Sequence, residues 1–238
     1  MKNGTLYGVG VGPGDPGLIT LKATKILKQV AVIFAAASTK NNYSLAAEIV
    51  SPHLKEGVPV EPLGFPMTRD KKRLATAWEK NGRIVVETLK KGKDAAFITL
   101  GDPLIYSTFG YIMRTIQKTY PDIPIKIIPG ITSYQACAAA AGQILAEAEE
   151  SFAVISGALG GERLKQVVDH MDCVAMLKVY HKHREIMDAL NELGLASGSI
   201  LISRCGLDGE VILQGLKRGC NTPPPYLSLV LIKKTGCL

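Results

Sequence analysis

Three short segments carry the residue types and spacings on which chemistry can be built. They are Gly12-Pro13-Gly14-Asp15-Pro16-Gly17, Leu100-Gly101-Asp102-Pro103 and Pro129-Gly130-Ile131-Thr132-Ser133. The first matches the dinucleotide fingerprint G-x-G-x-x-G, in which glycines let a pyrophosphate approach the backbone at a helix start. Pro13 and Pro16 weaken that reading, because each removes a main-chain N–H that a phosphate would use. The apolar run that follows, residues 31–34, leads into Ala35-Ala36-Ala37-Ser38 and offers no carboxylate for a ribose hydroxyl. A plain Gly-Pro turn is the simpler structural account. In the second segment, Gly101 permits close approach of a ligand, and Asp102 can accept from an amine or a ribose hydroxyl. Gly-Asp-Pro is also an ordinary turn sequence. In the third, the hydroxyls of Thr132 and Ser133 cap the next helix, or the backbone there lines a site.

Other chemistries find little support. His181 and His183 lie two residues apart without a carboxylate cluster, so solvent exposure is expected and no metal site is assigned. No G-x-S-x-G, H-E-x-x-H or phosphate-loop Gly-Lys-Ser/Thr is present. The five cysteines, Cys137, Cys173, Cys205, Cys220 and Cys237, are odd in number and form no C-x-x-C. They read as free thiols in a reducing cytosol. The net charge of +7 fits an anionic partner: nucleic acid, a membrane surface or a polycarboxylate. Lys71-Lys72-Arg73 and Lys90-Lys91 look like solvated helix faces without interleaved aromatics, so nucleic acid is disfavoured. The start of the chain runs straight into a strand-like segment, so a cytoplasmic protein without a secretory leader is expected. Residues 127–146 lack charges over a bilayer-spanning length. Pro129, Gly130, Gln135, Gly142 and Gln143 instead make this a strand end, a loop and a buried Ala-rich helix.

The elements that must hold these segments follow from periodicity. Strands are expected at residues 5–10, 31–34, 94–100 and 123–128, and helices after Thr20, at 44–49, 70–91 and 107–117. Pro59, Pro62 and Pro66 mark an irregular stretch. A second series has strands at 152–155, 174–177, 200–203, 211–213 and 227–232, with helices at 162–168 and 183–193. The fold class is therefore α/β in two domains. Residues 1–124 form a parallel sheet with crossover helices, and residues 125–238 form a mixed sheet. Leu100-Gly101-Asp102-Pro103 then sits at the carboxyl end of a parallel strand, where open α/β sheets bind ligands.

Together these loops are far more specific than any one of them. The run Tyr7-Gly-Val-Gly-Val-Gly-Pro-Gly-Asp-Pro-Gly-Leu-Ile-Thr-Leu-Lys-Ala23 resembles the opening of the tetrapyrrole (corrin and porphyrin) methylases. So does the order Gly101-Asp102-Pro103, Pro129-Gly-Ile-Thr-Ser133 and Pro225-Tyr-Leu-Ser-Leu-Val230. The likeness covers essentially the whole chain. The stretch from Ala95 to Thr108, with Met176-Leu177-Lys178, is most similar to the C20-methyltransferases of precorrin-2 or cobalt-factor II. Many relatives carry two glycines before the aspartate where this chain has Leu100-Gly101, which counts against the uroporphyrinogen branch.

The resemblance implies two α/β domains with S-adenosylmethionine in the cleft between them, and a homodimer. It maps cofactor contacts onto Val11, Gly101, Asp102, Ile105, Thr132, Ser133, Leu177, Gly206 and Leu227. An activated sulfonium donor needs no covalent nucleophile, only a ring carbon held in line with the methyl group. A proton must still leave that carbon, and Asp102, Lys178 and Tyr226 are the candidate acceptors. The basic charge suits an anionic tetrapyrrole, with Lys178 and Arg204 beside the mapped positions. Alternatives are another methylase of the same superfamily (uroporphyrinogen, later corrin or ribosomal RNA), a dinucleotide-dependent oxidoreductase, and a nucleic-acid binder.

Overall fold

The structure is a computed structural model that describes residues 2–38, 44–66, 68, 70–216 and 222–234. It divides into two compact units, Met1–Thr132 and Ser133–Leu238. In the first unit the elements run β1 (Leu6–Gly10), α1 (Leu21–Leu27), β2 (Val32–Ser38), α2 (Leu45–Val50), β3 (Val60–Phe65), α3 (Lys71–Lys90), β4 (Ala95–Thr99), α4 (Phe109–Thr119) and β5 (Ile125–Ile128). The strands form one parallel sheet in the order β3-β2-β4-β1-β5. All of β4 is buried, as a parallel strand covered on both faces requires. Alternate residues serve opposite faces. Ala95 and Phe97 join a cluster with Phe34, Val85, Phe109 and Ile116, whereas Ala96 and Ile98 join Val9, Leu27, Ile33 and Ile49.

Local signals set the helix starts. Thr20 Oγ1 accepts from the Ala23 N–H at 3.2 Å, and Asp70 Oδ1 accepts from Lys72 and Arg73 at 2.9 and 3.2 Å. Two expectations change. The stretch holding Pro62 is not irregular but forms β3, paired with β2. An outermost strand tolerates a proline that a central one would not. In addition, β5 does not open the second domain. Leu6 pairs with Ile125 and Tyr7 with Lys126, so this strand completes the first sheet and the units separate after Thr132 rather than at residue 124.

The second unit comprises α5 (Ser133–Ala141), β6 (Phe152–Ser156), α6 (Glu162–Val167), β7 (Cys173–Leu177), α7 (His183–Glu192), β8 (Ser199–Ser203), β9 (Val211–Gln214) and β10 (Ser228–Lys233). Its sheet is mixed, in the order β6-β7-β10-β8-β9, with β6 and β7 parallel and the other pairs antiparallel. Leu164, Met176, Ile186, Leu190 and Val230 form one core, and Cys137, Ala138, Ala175, Ile202 and Leu229 form another. His183 overturns its expected exposure: it is buried, in register with Ile186, Met187 and Leu190 on the inner stripe of α7. His181 is exposed and packs on the Tyr180 ring. Among the described residues no helix is long and apolar enough to cross a membrane.

Candidate active site

The order β3-β2-β4-β1-β5 sets a switch point between β1 and β4. The chain leaves β1 toward β2 on one side and leaves β4 toward β5 on the other. Ligands of open α/β sheets sit outside the carboxyl ends of two such strands. The same order separates this sheet from the dinucleotide fold, in which the first strand lies next to the second.

The loops at that point are built backbone on backbone. The Val11 N–H donates to the Thr99 carbonyl at 3.0 Å, and the Gly101 N–H donates to the Gly12 carbonyl at 2.8 Å. Gly12 and Gly101 both hold positive φ, +83° and +62°. A Cβ on Gly10 or on Gly130 would collide with the Gly101 carbonyl oxygen. These glycines are therefore dictated by close approach, not by turn preference alone.

Asp102 joins two of the loops. Its Oδ1 accepts from the Leu104 N–H at 2.9 Å, and its Oδ2 accepts from the Gly130 N–H at 3.1 Å. Ser107 braces the same loop, its hydroxyl 2.9 Å from Thr99 Oγ1 and accepting from the Phe109 N–H at 3.0 Å. The loop so held presents Leu104, Ile105 and Tyr106 to solvent at 57, 40 and 51% exposure. Tyr106 has φ +49°, a conformation that L-residues adopt at a cost and that concentrates at functional sites.

The mapped residues fall into two groups, one on each unit. Val11, Gly101, Asp102, Ile105 and Thr132 belong to the first. Val11 is fully buried, and its N–H is already given to the Thr99 carbonyl. Ser133, Leu177, Lys178, Gly206, Tyr226 and Leu227 belong to the second. There, β7 and β8 flank β10, with Leu177 near the start of β10 (paired with Leu229) and Ser203 opposite Ser228. Lys178, Arg204 and Leu227 therefore share one end of the sheet, and the Arg204 N–H donates to the Leu227 carbonyl at 2.7 Å. Tyr226 is 63% exposed and meets Tyr180 edge-on at 5.0 Å between centroids. Burial, then Tyr226, raises the Tyr180 phenol.

Residues the sequence did not single out support this end. Glu210 Oε2 accepts from the Gly206 N–H at 2.7 Å and fixes a loop that Gly206 enters at φ +72°. The Cys205 thiol contacts Cys137 on α5, and burial is the first cause holding both thiols protonated. No motif announces Glu210, because its partner is a main-chain N–H. Among the described residues no group of three or more His, Cys, Asp or Glu is placed to hold a metal ion.

A parallel sheet with glycine-walled strand ends, followed by a mixed sheet, defines a two-unit α/β protein with braced loops at the strand ends. The chain matches the tetrapyrrole (corrin/porphyrin) methylases over residues 5–218 and belongs to that family. It is 34% identical over 233 residues to the cobalt-precorrin-2 C(20)-methyltransferase of Salmonella typhimurium, covering 98% of this chain and 97% of that protein. The solved cobalt precorrin-4 methyltransferase has the same fold, with a TM-score of 0.74 at 22% identity, covering 96% of this chain and 94% of that one. The uroporphyrin-III C-methyltransferase of Thermus thermophilus, solved with S-adenosylhomocysteine, gives a TM-score of 0.71 at 23% identity, covering 97 and 98%.

Proposed function

We propose that the protein transfers a methyl group from S-adenosylmethionine to C20 of precorrin-2 or its cobalt complex in cobalamin synthesis. The observation that carries this is the 34% identity, nearly end to end, to the Salmonella cobalt-precorrin-2 enzyme. Val11, Gly101, Asp102, Ile105, Thr132, Ser133, Leu177, Gly206 and Leu227 are assigned to the cofactor. These residues suit the group: an internally braced loop holds the exposed side chains of Leu104 and Ile105 outward, which a nucleoside can cover.

When bound, S-adenosylmethionine supplies an activated methyl group on a sulfonium. The protein's part is to hold the ring carbon in line with it and to receive a proton. Both carboxylate oxygens of Asp102 already accept main-chain N–H groups, so its assigned role is to fix the loops. Lys178 and Tyr226, at the same end of the second sheet, then remain as the two candidates to receive the proton. A cytoplasmic homodimer belongs to the same reading and is checked by sedimentation.

The test is calorimetric and kinetic. S-adenosylhomocysteine should bind and raise the melting temperature, because a ligand of the folded state stabilises it by mass action. Incubation with metal-free and cobalt-loaded precorrin-2 should yield a product heavier by one CH2, a methyl gained for a proton lost. Absence of binding at millimolar S-adenosylhomocysteine would overturn the reading.

A further inference from the structure

Among the described residues, four that are not glycine hold φ in the left-handed region: Tyr106, Ala148, Lys178 and Arg204. Such conformations persist where the surrounding structure over-determines them, and they gather at ligand clamps. Two of the four are cations in equivalent places. Lys178 follows the last residue of β7, and Arg204 follows the last residue of β8. The strand β10 lies between β7 and β8. With one strand between them, their Cα atoms stand about 10 Å apart, twice the strand spacing. Both side chains are exposed. Arg204 is steadied by its Nε, which donates to the Asp208 carbonyl at 2.7 Å. That bond leaves the two-nitrogen edge of the guanidinium with the geometry that grips a carboxylate. The neighbouring acid of this loop, Glu210, accepts from the Gly206 N–H. Tyr226, exposed and set against Tyr180, completes the same sheet end.

Resting on the methylase reading above, we propose that Lys178 and Arg204 are the pair of cations that recognises carboxylates on the rim of the tetrapyrrole, with the Tyr226 ring offered to its macrocycle. A planar polycarboxylate matches both parts: acetate and propionate arms for the cations, an apolar ring for the phenol. Lys178 then serves to bind substrate, and of the two candidate acceptors Tyr226 remains.

The experiment compares Lys178→Ala, Lys178→Arg, Arg204→Ala and Arg204→Lys with the wild-type chain. Turnover of precorrin-2 is measured at low and at physiological salt. Binding of the stable polycarboxylate uroporphyrin III is followed by fluorescence, and S-adenosylhomocysteine affinity by calorimetry. Each alanine variant should raise KM and the uroporphyrin Kd by roughly tenfold, the scale of one charge-assisted hydrogen bond. Each should flatten the salt dependence and leave the S-adenosylhomocysteine Kd within about twofold. Lys178→Arg should restore most of the loss and Arg204→Lys only part of it, because an ammonium cannot reproduce the two-nitrogen edge. Lys178→Gly guards against misfolding, since glycine adopts this backbone freely, and it should match Lys178→Ala in KM. Unchanged KM in both alanine variants overturns the proposal. So does a Lys178→Arg variant as slow in kcat as Lys178→Ala, which would make Lys178 the base. Wild-type protein that fails to bind S-adenosylhomocysteine would defeat the methylase reading instead.

Discussion

The carboxylate of Asp102 accepts the main-chain N–H of Gly130 at 3.1 Å across 28 residues of sequence. Its other oxygen accepts the Leu104 N–H at 2.9 Å, so one side chain sets the spacing of two loops. Asp102→Asn leaves one oxygen and turns an amide donor toward one of these N–H groups. The expected loss is about 1–3 kcal/mol of stability, the scale of a hydrogen bond to a charged group, here with a half-buried donor. S-adenosylhomocysteine affinity should fall at least tenfold. Thermal melts and calorimetry on the same preparation check both, and a variant with wild-type affinity would show that the loop spacing does not matter.

Gly130 and Gly57 separate two kinds of glycine requirement. Gly130 lies so close to the Gly101 carbonyl and to Gly10 that any Cβ must move backbone. Gly130→Ala should destabilise the protein by more than about 2 kcal/mol, as overpacking does in a well-packed interior. Gly57 instead has positive φ (+80°) and a Cβ added there would meet nothing within 4 Å, so Gly57→Ala should cost only about 1 kcal/mol. Equal losses in urea unfolding would remove the packing argument.

Gly101→Val addresses the ligand instead. At φ +62° a branched side chain is strained and stands at the strand end assigned to the cofactor. The variant should lose detectable S-adenosylhomocysteine binding while keeping its far-ultraviolet dichroism. Normal affinity in a folded variant would move the cofactor away from this loop.

Cys173 supplies a pH prediction. Burial pushes its thiol up from 9.0 to about 11. Above pH 9 the unfolded chain releases this proton while the folded chain still holds it, so folding loses stability as pH rises from about 9 to 11. Below pH 9 both states are protonated and the effect vanishes. Melting temperature against pH should fall more steeply in the wild type than in Cys173→Ala over that window, and parallel curves would contradict it. Cys137, also protonated by burial, should resist alkylation at neutral pH.

Much of this was legible from residue order. Apolar runs located the strands, and Thr20 and Asp70 located two helix starts, because these signals are local. Gly101 and Asp102 were readable as a strand-end loop for the same reason. Pro62 misled, since its tolerance depends on β3 being outermost, which only the finished sheet decides. The division after Thr132 was missed because β5 pairs with β1, more than a hundred residues earlier in the chain. His183 was missed because two nearby histidines drew attention from the apolar stripe that one of them joins. The strain at Lys178 and Arg204 has no sequence signature at all, because neither residue type favours positive φ.

The proline in β3 has a consequence for what this molecule can join. Ile33 takes its N–H bond to the Pro59 carbonyl at 2.9 Å, and in a parallel ladder alternate residues face the neighbouring strand. Residues 59, 61 and 63 therefore turn toward β2, and Val60, Pro62 and Gly64 turn outward. Pro62 has no N–H to offer there. The Gly64 carbonyl is occupied by Asn81 Nδ2 at 2.9 Å, from a side chain only 4% exposed. A strand arriving from another chain would meet a missing donor and, two residues on, a spent acceptor. Such a rim resists templated stacking, the route by which open parallel sheets grow into aggregates.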